Sequence, residues 1–260
     1  MHELLFGLRT VQLLSRGERS SVFRATGPSG DPLILKVPMD LSSTEALARC
    51  NHEHELLSRI PSDYVVVTHG VRSDAEGAAL VLEDFAAPPL AEHDLPIDLE
   101  RWNAIACALL EALIATHDAG IVHCDVTPQN ILYDVNGARG LRLIDFDLAF
   151  DLDQGCDENR MRGTPQYLAP EQTGRLNRPL CAATDLYGLG ATLYELACGV
   201  PPFEGADVSA LVHAHLTKRP LPLCERLPQF PEGLSALVDS LLAKEPSRRP
   251  PSARAALEQL

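Results

Sequence analysis

The sequence predicts an α+β chain in two parts. The smaller part holds a five-stranded antiparallel sheet and one helix; the larger is mainly helical. Three observations predict this. Short apolar runs bounded by Gly, Ser, Pro and Asp recur up to residue 82. Glu83-Asp84-Phe85-Ala86-Ala87-Pro88-Pro89 then breaks the pattern, two prolines after an apolar strand marking a linker. From Asp98 onward apolar residues recur at helical steps. The expected boundary divides residues 1–87 from 88–260.

In the first part, Val11-Gln12-Leu13-Leu14 leads into a polar turn, Ser15 to Ser20, and Ser21-Val22-Phe23-Arg24-Ala25 follows. After the turn Gly27 to Asp31, Leu33-Ile34-Leu35-Lys36-Val37 is the third strand. A helix starts near Ser43-Thr44-Glu45 and runs through Ala46, Leu47, Cys50, Glu53, Leu56, Leu57 and Ile60. Tyr64-Val65-Val66-Val67 and Ala79-Leu80-Val81-Leu82 complete the sheet.

In the second part, Trp102, Ile105, Ala106, Leu109, Leu110, Leu113, Ile114 and His117 form the buried face of a helix that stops at Ala119-Gly120. Two apolar strand signals follow. Ile121-Val122 precedes His123-Cys124-Asp125, and Leu141-Arg142-Leu143-Ile144 precedes Asp145, with Asn130 between the two acids. Two acids at strand ends beside an amide supply hard oxygens for a divalent cation and leave one acid to accept a proton. That is the chemistry of moving a phosphoryl group from Mg-ATP.

Composition narrows the class. A net charge of −14 argues against a nucleic-acid binder, which needs a basic face. The seven cysteines form no Cys-x-x-Cys and are odd in number, which reads as reduced thiols in a cytoplasmic protein. The start, MHELLFGLRT, lacks the charged flank and long apolar run of a signal peptide. No apolar run approaches the length of about 18 residues that a membrane span needs.

His123-Cys124-Asp125-Val126-Thr127-Pro128-Gln129-Asn130, then Asp145-Phe146-Asp147, resembles the catalytic and magnesium loops of the protein kinases. Gly163-Thr164-Pro165-Gln166-Tyr167-Leu168-Ala169-Pro170-Glu171 resembles the segment that ends in Ala-Pro-Glu in that family. The resemblance covers about residues 8–260 and implies a bilobal protein-kinase-like fold that takes ATP, Mg²⁺ and a protein substrate with a Ser or Thr acceptor. By it, Gly17 and Val22 belong to the loop over the phosphates. Lys36 meets the α- and β-phosphates and is fixed by Glu53, with Glu55 and Glu45 as weaker candidates. The backbone of Glu83 and Phe85 bonds the adenine edge, with Leu132 beneath it. Asn130 and Asp145 hold Mg²⁺, Asp125 takes the proton, and Thr164 lines the acceptor site. His123 has a core role. Asp185 caps the helix Asp185–Leu196 and holds the catalytic-loop backbone, and Arg249 pairs with Glu171.

The runs Glu171–Arg178 and Leu211–Leu216 resemble bacterial serine/threonine kinase domains that open multidomain proteins with ATPase, sensor and histidine-kinase regions. Further domains or signalling partners are therefore expected. Several positions depart from the family. Only the middle glycine of the phosphate loop, Gly17, is present. Cys124 stands where an arginine would read a phosphorylated activation segment, and residues 148–163, expected to form a polar flexible loop over 151–162, contain no Ser, Thr or Tyr. Thr127 replaces a lysine that steadies the γ-phosphate, and Asp147 replaces a glycine. These departures keep two other readings open. One is a pseudokinase that binds nucleotide or scaffolds; the other is a small-molecule phosphotransferase, whose family lacks the Ala-Pro-Glu segment.

Overall fold

The structure is a computed structural model that describes residues 4–39, 41–75, 77–135, 140–155, 161–176 and 178–260. It divides into two compact units, Met1–Pro61 with Val65–Ala86, and Ser62–Tyr64 with Ala87–Leu260.

The first unit is built on one antiparallel sheet. Its strands are β1 (Leu4–Leu5), β2 (Leu8–Arg16), β3 (Ser20–Thr26), β4 (Pro32–Pro38), β5 (Thr68–Ser73) and β6 (Ala78–Glu83), in the order β1-β2-β3-β4-β6-β5. There are six strands, not the expected five. The extra one turns back through Phe6 (φ 50°) and Gly7 (φ 76°), a two-residue hairpin with both central φ positive, which suits the twist of the flanking strands. Alternating residues Leu8, Ala25, Leu33, Leu35, Ala79 and Val81 put one buried apolar face on the sheet.

The strand expected at Tyr64–Val67 lies instead at Thr68–Ser73. The backbone of 64–67 has other partners: the Tyr64 carbonyl accepts from Leu143 N–H, and Val67 N–H donates to the Glu83 carboxylate. Val65 and Val66 are buried without belonging to a named strand, so apolar content alone misplaced the element.

The helix α1 (Ser43–Ser58) starts from a capping box in which Ser42 and Glu45 satisfy each other's end groups. Ala46, Cys50, Glu53, Leu56 and Leu57 form its buried face.

The second unit is arranged about two long helices. α2 (Leu99–Asp118) is capped by Asp98, whose carboxylate accepts from Arg101 N–H. Its Trp102 is fully buried, donates from Nε1 to the Leu193 carbonyl at 2.8 Å and meets Phe230 edge-on. Between α2 and the second long helix lie four short strands, β7 (Ile121–Val122), β8 (Ile131–Tyr133), β9 (Leu141–Leu143) and β10 (Phe150–Asp151). β7 pairs with β10 and β8 with β9, each antiparallel. α3 (Ala182–Cys198) is buried nearly all round and ends at Gly199 in the left-handed conformation. Two of its glycines give close approach: a Cβ at Gly188 would lie 3.1 Å from the Val126 carbonyl, and one at Gly190 2.7 Å from Leu241 Cβ. The remaining helices are α4 (Val208–Thr217), α5 (Leu223–Arg226), α6 (Glu232–Leu241) and α7 (Ala253–Leu257).

Of the polar stretch expected to form a loop over 151–162, the first residues form a turn after β10. Asp151 caps a turn, its carboxylate accepting from Asp153 N–H and its carbonyl from Gln154 and Gly155. Residues 156–160 of that stretch lie outside the described residues. No helix among the described residues is long and apolar enough to cross a membrane.

Candidate active site

In the first unit Lys36 and Val22 stand directly opposite each other on β4 and β3, which places their side chains on one face of the sheet. Lys36 Nζ donates to both carboxylate oxygens of Glu53, at 2.6 and 2.8 Å, and both residues are buried. Helical phase makes Glu53 the partner. Glu55 is exposed, and Glu45 is committed to the cap of α1. The two bonds from one carboxylate fix the direction of the Lys36 amine.

Gly17 sits in the turn between β2 and β3 with its N–H on the Ser20 carbonyl at 2.9 Å. A Cβ there would meet only that carbonyl, at an ordinary 3.6 Å, so the turn itself does not require glycine. Glu83 ends β6 and Phe85 is buried after it. Between them Asp84 takes the Arg24 guanidinium at 2.5 and 3.1 Å and accepts from Ala86 N–H, which pins the linker to β3.

In the second unit the structure brings Asp125, Asn130 and Thr164 together. Asn130 Nδ2 donates to the Asp125 carbonyl and to Asp125 Oδ2, both at 2.9 Å. Thr164 donates to Asp125 Oδ1 at 2.8 Å, through its backbone N–H. Thr164 was expected to line this aspartate, and the contact it makes is through its backbone. Each Asp125 oxygen therefore has a fixed donor, and the carboxylate has one orientation.

The frame beneath is equally determined. Asp185 accepts from the N–H groups of His123 (2.9 Å) and Cys124 (2.7 Å), and from His117 Nε2 at 2.9 Å. It does not cap α3: the cap position is Cys181, and Asp185 lies a turn inside, where its carboxylate reaches the catalytic loop. His123 is fully buried, accepts from Asp125 N–H at Nδ1, bonds the Ile144 carbonyl through Nε2 and packs edge-on to Phe146. Those bonds put its proton on Nε2. Cys124 (φ 68°) and Asp145 (φ 64°) both hold left-handed backbone that side chains seldom adopt, the kind of strain found at functional sites. Leu132, on β8, is half-buried opposite Arg142.

Asn130 turns both amide hydrogens toward Asp125, so its remaining oxygen is a free-standing donor type for a cation. The Ile144 N–H bonds the Asn130 carbonyl at 2.9 Å, tying that loop to the segment carrying Asp145. One amide oxygen and one carboxylate fit Mg²⁺, which keeps waters and substrate phosphates as its other ligands. Among the described residues there is no group of three or more His, Cys, Asp or Glu that could hold a metal ion.

Sequence reasoning missed Tyr167 and Gln172. Burial and the Glu195 carboxylate, 2.5 Å away, push the Tyr167 hydroxyl far up, so it stays a donor that ties the segment after Thr164 to α3. Gln172, just after the Ala-Pro-Glu run, is buried and bonds three backbone groups. Glu171 is met by Arg249 at 2.6 and 2.8 Å, as expected.

The second unit holds an oriented carboxylate beside an amide, and the first a buried lysine–glutamate pair. The protein kinase domain family matches residues 8–260, and the chain belongs to that family. Its curated relatives include bacterial proteins. The chain is 33% identical over 250 residues to the serine/threonine-protein kinase PkaB of Streptomyces coelicolor, covering 92% of this chain and 58% of that protein. It is 34% identical to the DNA damage-responsive serine/threonine-protein kinase RqkA of Deinococcus radiodurans, covering 94% and 38%. It is 30% identical to the serine/threonine-protein kinase pkn3 of Myxococcus xanthus, covering 97% and 49%. Each of these three relatives is named a serine/threonine-protein kinase. The chain spans about half the length of the curated relatives it matches.

Proposed function

We propose that this domain transfers the γ-phosphoryl group of Mg-ATP to Ser or Thr hydroxyls of a protein, in the cytoplasm. The observation that carries the reading is the Asp125 carboxylate, held at one oxygen by Thr164 N–H and at the other by the Asn130 amide. Asp125 orients the acceptor hydroxyl and takes its proton, a role that contributes about 10²–10⁴-fold. Lys36, fixed by Glu53, binds the α- and β-phosphates. Asn130 and Asp145 hold Mg²⁺, which when bound neutralises phosphate charge. Gly17 and Val22 cover the phosphates, and Glu83, Phe85 and Leu132 receive the adenine. Residues 1–87 form the nucleotide lobe and 88–260 the catalytic lobe. The acidic charge of −14 favours basic acceptor segments. The relatives extend beyond the matched region, which supports further domains or signalling partners around this one.

The test is transfer of labelled γ-phosphate from Mg-ATP to the chain itself and to a generic basic protein, with Asp125→Asn alongside. Label on Ser or Thr that is lost in the variant is the expected result. Nucleotide binding without any transfer would overturn the reading in favour of a pseudokinase.

A further inference from the structure

We propose that Gln172 is a positioning residue that locks the end of the activation segment onto the catalytic loop, doing without phosphate what an arginine–phosphate contact would do. The inference rests on the kinase reading above and names how that site is held ready.

The segment has no phosphate device. Cys124 replaces the phosphate-reading arginine, and residues 148–163 carry no hydroxyl side chain. Something else must hold Thr164 where its N–H reaches Asp125. The Gln172 side chain lies at that junction, only 3% exposed. Its Nε2 donates to the Cys124 carbonyl at 2.7 Å and to the Arg162 carbonyl at 2.9 Å. Its Oε1 accepts from Ala169 N–H at 2.9 Å. The Gln172 backbone carbonyl in turn accepts from Arg162 N–H at 3.3 Å, so both backbone groups of Arg162 are taken by one residue. Two residues further on, Thr164 N–H bonds the carboxylate of Asp125, the residue after Cys124.

The chemistry suits only a carboxamide of this length. Two hydrogens on one nitrogen meet two carbonyls, and one oxygen meets one N–H. A carboxylate offers acceptors to both carbonyls, and an apolar isostere removes all three hydrogen bonds. Gly163 completes the joint. A Cβ there would lie 3.0 Å from the Cys124 carbonyl and 3.1 Å from Gln172 Nε2, and its φ of 108° disfavours any side chain. The left-handed turn at Cys124 (φ 68°) sends its N–H to Asp185 and its carbonyl to Gln172.

The experiment compares the native chain, pretreated with phosphatase, with Gln172→Met and Gln172→Glu. It reads the KM for a basic protein acceptor and for ATP, Mg-ADP binding, and amide hydrogen exchange over residues 161–169. Native transfer is expected to survive phosphatase. Gln172→Met should lower kcat/KM for the protein acceptor about tenfold or more, by analogy with the loss of a positioning contact. Mg-ADP affinity should stay within about twofold and exchange at 161–169 should rise. Gln172→Glu should behave likewise at about pH 8 and recover in part near pH 6, where a protonated carboxyl regains one donor. Native exchange and native acceptor kinetics in both variants would overturn the proposal, as would equal losses in nucleotide and acceptor binding. If Gln172→Met does not fold, the pH recovery of Gln172→Glu decides alone, and its absence counts against the proposal. Should the native chain transfer no phosphate, the kinase reading fails by itself, while exchange at 161–169 still tests the lock.

Discussion

Glu171 and Arg249, 78 residues apart in the chain, meet carboxylate to guanidinium with both side chains wholly enclosed. Arg249 also donates to the carbonyls of Ala183 and Ala243, and Thr184 Oγ1 donates to Glu171. The pair thus joins the end of the Ala-Pro-Glu run, the start of α3 and the segment before α7. Removing one partner strands the other's charge. Arg249→Met is expected to cost about 3–5 kcal/mol in denaturant unfolding, and the double replacement of Glu171 and Arg249 by Met less than the single. A single loss no larger than the double would show that the buried charge is not what matters.

The Lys36–Glu53 pair makes a functional rather than a global prediction. Lys36→Met and Glu53→Gln should each lower phosphoryl transfer by about 10²-fold or more, the scale of a lost preorganised charge contact. Because Glu53 acts through Lys36, the double variant should fall no further than Lys36→Met. Native transfer by Glu53→Gln would remove the glutamate from the site.

Thr127 is fully buried, and its hydroxyl has no hydrogen-bond partner among the described residues. Thr127→Val keeps the shape and removes an unpaired polar group. Thermal unfolding should show it neutral or more stable by about 1 kcal/mol. If transfer drops sharply as well, the hydroxyl serves the phosphate after all.

His215 sets an acid limit. It is fully buried on α4, its Nδ1 2.9 Å from the Tyr187 hydroxyl, which itself accepts from Lys244 Nζ at 3.0 Å. Burial, then the Lys244 charge, push His215 down to about 4, partly opposed by the backbone of Gln166 and Pro165. The folded state keeps it neutral where the unfolded chain would protonate it. Its contribution is therefore complete above about pH 6.5 and is lost as pH falls toward 4, up to about 3 kcal/mol. Stability measured across that window should lose part of its slope in His215→Phe; an unchanged slope would assign the acid limit to other groups.

Much of the site was legible because its residues lie close in sequence or repeat with helical phase. Glu53 was readable as the buried position three and four residues before Leu56 and Leu57, and the exposed Glu55 was correctly ranked below it. The Arg249–Glu171 pair was readable only through the family resemblance. Apolar pattern failed at Tyr64–Val67, because burial there comes from packing outside a named strand while the backbone bonds to Leu143 and Glu83. It also passed over Leu4–Leu5, a two-residue strand too short to show alternation.

By itself the sequence determined the order and spacing of Lys36, Glu53, Asp125, Asn130 and Asp145, and with them the family. Residue type and local period carry that information. Only the tertiary structure decided who bonds to whom: Cys181 rather than Asp185 at the cap of α3, the backbone of Thr164 to Asp125, and the Gln172 amide to three backbone groups. Every buried donor and acceptor must find a partner, and which one is near depends on how distant segments pack.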